Sequence, residues 1–590
     1  MKAIAKYVSA FCAVATIAAC STEMPTEETK TTENIKQEVA TQFSATNNVD
    51  ETEAVSQSKG TPFIVDNYTV TRTGAEYKPA TSASEKGKNV FYWTSTDGIW
   101  IEKTSGNFVK TTKTVLGNPA NNADFYINGA FNQSQYNIRY TGNSSSANQV
   151  TFANKQIQDS PNNANRLGEY GDCGVATATK HNGRFEFKLE HKAAYLVLNP
   201  YSELNLDINV GIRAVYVSAD QALSGTFDFD NDGVKQTSRP AATANNKTVA
   251  WFYKTEMSDR SKLKNEATTS QNAVSVPKQE NVTKNGIIIV LPPGDYTNFT
   301  IEYALKDPTT QGCGYYKQSF KGTVSLKPGK NRKIAKNIVL DEYDINNFYM
   351  WDAPNDKYYW YGNESYQPTT LINYSATNGF ATSDADPRWY NKLDGKAVAA
   401  AAGGAANVGT NSCSGALNVN QAVWFMLRGE PRWDDNMMYV MKNHLYNGGI
   451  WIKTFKTIVG ETNKSEEYLK GGFSSMSYTY EDFRKVEANL PGKLNRITDM
   501  GRPAQNEKSK YTFLPALGGY GKPKDQPNQR IWILQGTVGQ YWTSTACDEK
   551  SAYMLWFQKD DSGNSFSISV EKYDKEVGLP PLDLTKLRKN

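Results

Sequence analysis

Hydrophobic and polar positions alternate in short runs through much of the chain between residues 61 and about 342. Phe185–Leu189 alternates residue by residue, Ala194–Leu198 is a compact apolar run, and Ile287–Leu291 ends at a Pro-Pro-Gly turn. Phe299–Tyr303 alternates again. These patterns are typical of β-strands, and short strands separated by such turns indicate β-sandwiches.

The length of this region favours two sandwiches, and we place them at residues 61–230 and 231–342. Val324–Leu326 is expected to be a strand, followed by a Lys-Pro-Gly turn and a closing strand at Ile338–Leu340. Each sandwich would bury one face of each sheet against the other.

The pattern changes after Asp341, where the chain becomes dense in Trp, Tyr and Gly. Val419–Leu427 and Tyr480–Leu490 carry apolar residues at spacings that allow helices. Residues 343–590 are therefore predicted to form one mixed α+β domain.

The N-terminus opens with Lys2 and Lys6 and then runs apolar from Tyr7 to Ala19. A charged start, a short apolar core and small residues before Cys20 are the layout of a secretory leader. The final Ile-Ala-Ala-Cys matches the lipobox of bacterial lipoproteins. We expect residues 1–20 to be a signal peptide and Cys20 to carry the acyl chains of a membrane anchor.

Residues 21–60 hold eight acidic and three basic side chains, and Phe43 is their one aromatic residue. Such a composition buries too little apolar surface to offset its ordering entropy. We therefore predict that this segment is a disordered acidic tether, extended by its own charge.

The composition argues against one class of function and favours one class of fold. A formal charge of +4 over 590 residues gives no support for nucleic-acid binding. The chain has 34 Tyr, 24 Phe and 12 Trp but only 3 His. Aromatic and β-branched residues favour pleated, half-buried surfaces, so the body is predicted to be mainly β.

Four cysteines follow Cys20 in the sequence, and an even number in an oxidising compartment permits two disulfides. Sequence alone allows three pairings. The predicted domain division favours the pairing of Cys173 with Cys313 and of Cys413 with Cys547, because each pair then lies within one half of the chain. No Cys-x-x-Cys pair is present, which argues against zinc or redox chemistry.

The usual catalytic and cofactor-binding spacings are absent from the sequence, so we predict a non-enzymatic protein without a cofactor. Asp228–Gly233 begins like a calcium loop, but Arg239 stands where the loop needs a bidentate Glu. We interpret the segment as a polar turn and predict no metal site.

A possible ligand surface is proposed in the last domain. Gln526-Pro-Asn528 resembles the sugar-selecting tripeptide of calcium-dependent lectins, although its expected Trp-Asn-Asp partner is replaced by an earlier Trp-Asp-Asp at Trp433. Trp433, Trp451 and Trp542 could stack on sugar rings if they are exposed, although burial is the commoner fate of such residues.

The strand region resembles a known family. His191–Leu196, Val215–Val217 and Leu223–Gly225 are similar to the fimbrillin-type β-sandwich of Bacteroidales lipoproteins. Gly322–Asn331 resembles the last hairpin of such domains.

An ordered series of motifs across roughly residues 420–560 resembles the C-terminal module of Bacteroidales fimbrial tip and accessory subunits. That module is distantly similar to C-type-lectin-like and sulfatase-modifying-factor-like domains. The series comprises Arg428–Asp435, Asn447–Lys453, Thr512–Gly518, Gln540–Thr545 and Ser551–Phe557. The chain departs from the pattern at its end, where a closing strand is replaced by Gly578–Pro581 and a basic tail.

The resemblance implies fimbrillin-like sandwiches followed by a lectin-like tip module, in an exported lipoprotein of the outer membrane and cell surface. It implies a fimbrial tip or accessory subunit that contributes to fimbrium assembly, adhesion and biofilm formation. Expected partners are shaft and accessory subunits, and a host or bacterial surface protein or glycan. The alternative is an outer-membrane glycan-binding lipoprotein for nutrient capture.

In that family some subunits are matured by an arginine-specific protease that removes the first strand. Arg72 is the first arginine of the chain and lies in the strand-like Tyr68–Arg72. The resemblance therefore makes Arg72 the candidate cleavage site. The opened groove would then accept a strand from a neighbouring subunit.

Overall fold

The computed structural model describes residues 40–45, 64–66, 74–81, 87–118, 120–257, 259–264, 272–370, 374–393, 407–475, 478–485, 490–523, 525–533 and 535–589. Strands dominate the fold, which confirms the prediction of a mainly β protein. Every helix within these ranges is too short or too polar to cross a lipid bilayer.

The strands are numbered in chain order. The N-terminal part contains β1 (Ala40–Ala45), β2 (Ile64–Asp66), β3 (Gly74–Lys78), β4 (Lys88–Tyr92), β5 (Trp100–Thr104), β6 (Asn107–Lys110), β7 (Lys113–Leu116), β8 (Ala123–Asn128), β9 (Gln135–Tyr140), β10 (Gln149–Phe152), β11 (Lys155–Gln158), β12 (Asn163–Ala164), β13 (Gly174–His181), β14 (Arg184–Phe187) and β15 (Glu190–His191). The central part contains β16 (Ala194–Tyr201), β17 (Gly211–Ser218), β18 (Gly225–Asp230), β19 (Gly233–Val234), β20 (Thr248–Tyr253), β21 (Val274–Ser275), β22 (Ile287–Leu291), β23 (Gly294–Tyr296), β24 (Thr300–Lys306), β25 (Cys313–Ser319), β26 (Val324–Leu326) and β27 (Asn331–Asn337).

The C-terminal part contains β28 (Asp341–Tyr343), β29 (Ser375–Ala376), β30 (Arg432–Trp433), β31 (Met438–Met441), β32 (His444–Asn447), β33 (Gly449–Lys453), β34 (Phe473–Ser475), β35 (Tyr478–Glu481), β36 (Leu494–Ile497), β37 (Tyr511–Pro515), β38 (Gly519–Gly521), β39 (Arg530–Ile533), β40 (Val538–Ala546), β41 (Ser551–Lys559) and β42 (Phe566–Asp574). The α-helices are α1 (Leu167–Tyr170), α2 (Val282–Asn285), α3 (Val419–Arg428), α4 (Phe455–Thr462) and α5 (Glu466–Gly471). Single 3₁₀ turns lie at Gln236–Ser238, Arg260–Lys262, Glu364–Tyr366 and Lys508–Lys510.

The N-terminal sheet has the order β6-β5-β9-β13-β14-β1-β8-β7, and β15 pairs with β13. Strands β6 and β7 stand at opposite ends of this order but are joined by only two residues, so the sheet curls back on itself. Alternate side chains point inward along each strand. They form a core that includes Trp93, Ile101, Phe125 and Ile138.

The predicted disordered tether is wrong for residues 40–45, because β1 is a strand within this sheet. Phe43 and Ala45 lie on one face of β1 and are buried in the core. Two apolar residues at alternate positions are enough to seat a strand whose neighbours supply the rest of the core. The other residues of 21–60, like the predicted leader and Cys20, lie outside the described residues.

The central part is a sandwich of two sheets, β11-β20-β17-β24-β25 and β2-β27-β16-β22. Their inner faces share one core, which includes Leu196, Val215, Trp251, Ile289 and Tyr303. The predicted strands β22 and β26 match the structure residue for residue. The predicted closing strand at residues 338–340 is wrong, because the closing strand is β27, directly before it.

The predicted domain break near residue 230 is also wrong. Strands β18 and β19 form a hairpin across it, and Gly233 takes the positive φ of 113° that this tight turn requires. Strand β17 pairs with both β20 and β24, so both sides of residue 230 belong to one sandwich. The polar turn expected at residues 228–233 is present, but it closes a hairpin within one sandwich.

The C-terminal part combines small sheets with helices, as predicted. Its main sheet is β36-β42-β41-β40, and the smaller sheets are β30-β33-β37, β29-β39-β38, β28-β31-β32 and β34-β35. Helix α3 starts at a capping box formed by Asn418 and Gln421, and its predicted existence is confirmed. The predicted helix from Tyr480 is wrong at its start, since Tyr480 belongs to β35, where alternating Tyr residues favour a strand.

Candidate functional site

Strand β1 lies in the interior of the N-terminal sheet and not at an edge. It pairs antiparallel with β8 along all six of its residues, from Ala40 opposite Asn128 to Ala45 opposite Ala123. On its other side it pairs parallel with β14, with Phe43 opposite Phe185. Removing β1 would leave the facing edges of β8 and β14 without their hydrogen-bonding neighbour.

Phe43 fills an aromatic pocket and is 0% exposed. Its ring stacks on Phe185 at 4.7 Å between centroids and meets the edges of Phe131 at 5.4 Å and Tyr136 at 6.3 Å. Aromatic pairs at these separations contribute beyond their buried area. The pocket therefore requires an aromatic or large apolar side chain at this register of the sheet.

The predicted cleavage site Arg72 lies outside the described residues. In the sequence it follows β2 and precedes β3. Strand β2 pairs antiparallel with β27 at the edge of the central sandwich. A cut after Arg72 would consequently separate both β1 and β2 from the rest of the chain.

The C-terminal tail is packed into its own domain. Leu579 and Leu582 are 0% exposed. Leu579 pairs with Tyr349, and Pro581 pairs with Trp542, through isolated β-bridges. Ion pairs join Arg588 to Asp341 at 3.2 Å and Lys589 to Glu342 at 2.8 Å, so the tail is fixed to strand β28.

The three tryptophans of the predicted ligand surface are core residues, which corrects that prediction. Trp433 and Trp542 are 0% exposed, and Trp451 is 4% exposed. The Nε1–H groups of Trp433 and Trp451 donate to the carboxylates of Asp435 and Asp434, at 2.8 Å and 3.0 Å. The Trp-Asp-Asp motif therefore anchors buried indoles to neighbouring carboxylates.

Gln526 and Asn528 are exposed in the loop between β38 and β39. The tryptophans predicted beside them are buried in the core, so the structure does not form the predicted surface as one site. Within the described part of the chain, no group of three or more His, Cys, Asp or Glu residues is arranged to hold a metal ion. Asp230 of the calcium-like segment pairs with Lys235 in a hairpin.

Three tyrosines that the sequence analysis did not single out are exposed in the C-terminal part. Tyr361, Tyr366 and Tyr374 are 41%, 50% and 56% exposed, within a short stretch of the C-terminal part. The Lys357 ammonium lies 3.9 Å from the ring centroid of Tyr361 and covers one face of that ring.

The predicted disulfides are absent from the structure, where the described cysteines form no disulfide bond. Cys173 and Cys313 are buried in different core clusters, which explains why they do not pair. Cys413 and Ala546 lie in the same small hydrophobic cluster. Cys547, which follows Ala546 in the chain, packs against a different cluster, the main core of the C-terminal part. Burial raises the pKa of the Cys413 thiol, which favours the uncharged form.

A polar junction that sequence reasoning missed joins the central sandwich to the C-terminal part. Asp307 is fully buried, and its Oδ2 accepts from His444 Nδ1 at 2.9 Å and from the Leu445 backbone N–H at 3.1 Å. The Cys313 backbone N–H donates to Asn447 Oδ1 at 3.0 Å.

Apolar contacts complete this junction. Met438 and Leu445 belong to the hydrophobic core of the central sandwich, although they lie on β31 and β32. A Cβ atom on Gly312 would lie 2.0 Å from the Leu445 carbonyl oxygen, so only glycine allows this approach of the two backbones. No sequence signal pairs residues that lie more than a hundred positions apart.

No protein-family model matches the chain. No curated protein matches it either.

Among solved structures, the chain is similar to a candidate cell adhesion protein from Bacteroides ovatus, at 14% identity and a TM-score of 0.26, over 42% of this chain and 86% of that one. It is similar to another from Bacteroides fragilis, at 8% identity and a TM-score of 0.26, over 50% and 93%. A fimbrial protein from Bacteroides ovatus matches at 9% identity and a TM-score of 0.19, over 84% and 95%.

Proposed function

We propose that this chain is a non-enzymatic adhesin of the cell surface, a fimbrial tip or accessory subunit that receives a β-strand from a partner subunit. The observation that carries the proposal is the position of β1. A strand from a segment before the candidate cleavage site fills the interior of the N-terminal sheet.

Cleavage after Arg72 would release β1 and empty the pocket that Phe43 fills. The edges of β8 and β14 would then offer unpaired backbone groups, which is the chemistry of strand addition. Main-chain hydrogen bonds would supply affinity, and the aromatic pocket would select the register. The partner is another fimbrial subunit whose strand carries a large apolar residue for this pocket.

The tail supports a distal position in the fimbrium. Donating a strand onward requires a terminal segment that can leave its own domain. Here Leu579 and Leu582 are buried, and ion pairs hold the last residues to β28. Pro580 and Pro581 also lack the N–H groups that a donor strand needs. The chain would accept a strand and present its C-terminal domain to a surface protein or glycan.

The anchor belongs to the same proposal. Acylated Cys20 would hold the precursor at the outer membrane, and the acidic segment after it would separate the folded body from the lipid. Replacing Cys20 with Ala should abolish lipid labelling of the chain in the native cell. Labelling that persisted in this variant would disprove the anchor.

Strand acceptance is tested by comparing Arg72→Ala with the unaltered chain and with Arg428→Ala, which changes an exposed arginine at the end of α3, outside the N-terminal sheet. Each is treated with an arginine-specific protease and mixed with shaft subunits. We expect the unaltered chain and Arg428→Ala to lose residues 1–72 and form complexes, and Arg72→Ala to do neither. Complex formation by Arg72→Ala at the unaltered level would contradict the proposal.

A further inference from the structure

A cavity of about 230 Å³ opens on the C-terminal part, beside the fixed tail. Its polar lining comes from three separate segments, with Asn347, Tyr349 and Asn355 from the first, Ser412 from the second, and Asp583 and Lys586 from the tail. Pockets for drug-sized ligands begin at about 300 Å³, so this one is suited to a smaller ligand.

The carboxylate of Asp583 is held rigidly at the cavity. Asp583 is 7% exposed, and its Oδ1 accepts from the backbone N–H and the hydroxyl of Thr585 at 3.0 Å and 2.7 Å. A Cβ atom on Gly415 would lie 2.4 Å from Asp583 Oδ2, so the absence of a side chain there leaves room for this oxygen. The Lys586 ammonium lies 3.6 Å from the same oxygen.

These charges favour a neutral ligand. One carboxylate and one ammonium face each other, so the cavity has no excess charge for an anion or a cation to neutralise. Together with the exposed amide of Asn355, they present both donors and acceptors to hydroxyl groups.

An aromatic wall completes the site. Tyr349 is half-buried, and its hydroxyl donates to the Asn355 backbone oxygen at 3.0 Å, which fixes the ring. A fixed ring beside hydroxyl-binding groups suits a sugar, which has an apolar C–H face and a polar rim. A second cavity of about 200 Å³ also has charged walls, including Lys327, but its lining contains no aromatic residue.

We propose that the cavity beside the tail binds one neutral hexose unit at the end of a surface glycan. Asp583 accepts hydrogen bonds from hydroxyl groups of the sugar, Lys586 and Asn355 donate to its oxygens, and Tyr349 faces its C–H surface. That the hexose is the end of a surface glycan rests on the proposed adhesive function. That the cavity binds a neutral hexose does not depend on that function.

The test uses the full chain and a panel of methyl glycosides of neutral hexoses, with binding measured by saturation-transfer NMR. Lys586→Ala and Asn355→Ala change exposed residues and should preserve the fold. We expect each to weaken binding about tenfold, since a hydrogen bond to a charged or well-placed group contributes on that scale. The matched control Lys327→Ala removes an exposed lysine from the second cavity and should bind as the unaltered chain does.

Binding of a member of the panel that is weakened about tenfold in Lys586→Ala and Asn355→Ala and kept in Lys327→Ala supports the proposal. The absence of saturation transfer from the unaltered chain to every hexoside of the panel overturns it. Binding that is unchanged in both cavity variants, or weakened equally by Lys327→Ala, also overturns it. None of these variants alters the N-terminal sheet, so failure here is distinguishable from failure of strand acceptance.

Discussion

The side chain of Phe43 lies between Phe185 and Phe131 and is inaccessible to solvent. In the uncleaved chain, Phe43→Ala should lower the free energy of unfolding by about 3–5 kcal/mol, the usual cost of emptying a buried aromatic site. Denaturant unfolding of the N-terminal part measures this loss. Gln42→Ala, on the neighbouring half-buried position, is the matched control and should cost less than about 1 kcal/mol.

His444 provides a second prediction for a single residue. Burial lowers the pKa of His444, but the hydrogen bond and charge of Asp307, together with the charge of Asp207, raise it by more, so the net pKa lies above the ordinary value. The Lys442 ammonium also lowers this pKa. The protonated, charged form of His444 is therefore more stable in the folded protein than in the unfolded chain.

The sign of the pH dependence follows from this shift. The stabilisation by His444 is fully present below the unfolded pKa of about 6.5 and is lost as pH rises through the folded pKa. The melting temperature of the unaltered chain should exceed that of His444→Gln by more at pH about 5.5 than at pH about 8.5. His181→Gln, at an exposed histidine, is the control. A difference that grew with pH would refute the role given to Asp307.

Among the elements, those with strong local patterns were predictable. Strand β22 is a five-residue apolar run that is buried on both faces, and α3 has a capping residue and an apolar stripe. Strand β1 was not predictable, because its acidic surroundings dominate the composition and its core is supplied by β8 and β14. The domain break beside hairpin β18–β19 was placed from the length of the region, and length does not show whether a polar turn ends a domain or closes a hairpin.

The packing of the C-terminal tail determines whether the tail can leave its own domain and act as a donor strand for another subunit. Leu582→Ala should cost about 2–5 kcal/mol of stability, because it empties a fully buried site. Removing the exposed ion pairs with Arg588→Ala and Lys589→Ala should cost about 1 kcal/mol or less for each pair. Chemical denaturation of the three variants measures the contrast. Equal, small losses in all three would show that the tail is only loosely held.

At the scale of the whole molecule, the sequence indicated the order of parts but not their contacts. The candidate ligand residues Trp433, Trp451 and Trp542 were chosen for their chemistry, and the structure uses that chemistry in the core. The junction of Asp307 and His444 and the cavity beside the tail each join segments far apart in sequence. Such sites depend on tertiary packing, which local patterns do not encode.

The central claim is that the place of β1 is taken by a strand from another subunit. A photo-crosslinking amino acid in place of Tyr136, whose ring lies 6.3 Å from Phe43, reports which strand occupies the pocket. The same amino acid in place of the exposed Tyr480 is the control. In fimbriae purified from native cells, we predict that position 136, and not position 480, crosslinks to a strand of a different subunit. Crosslinks from position 136 only to residues 40–45 of the same chain would contradict the account.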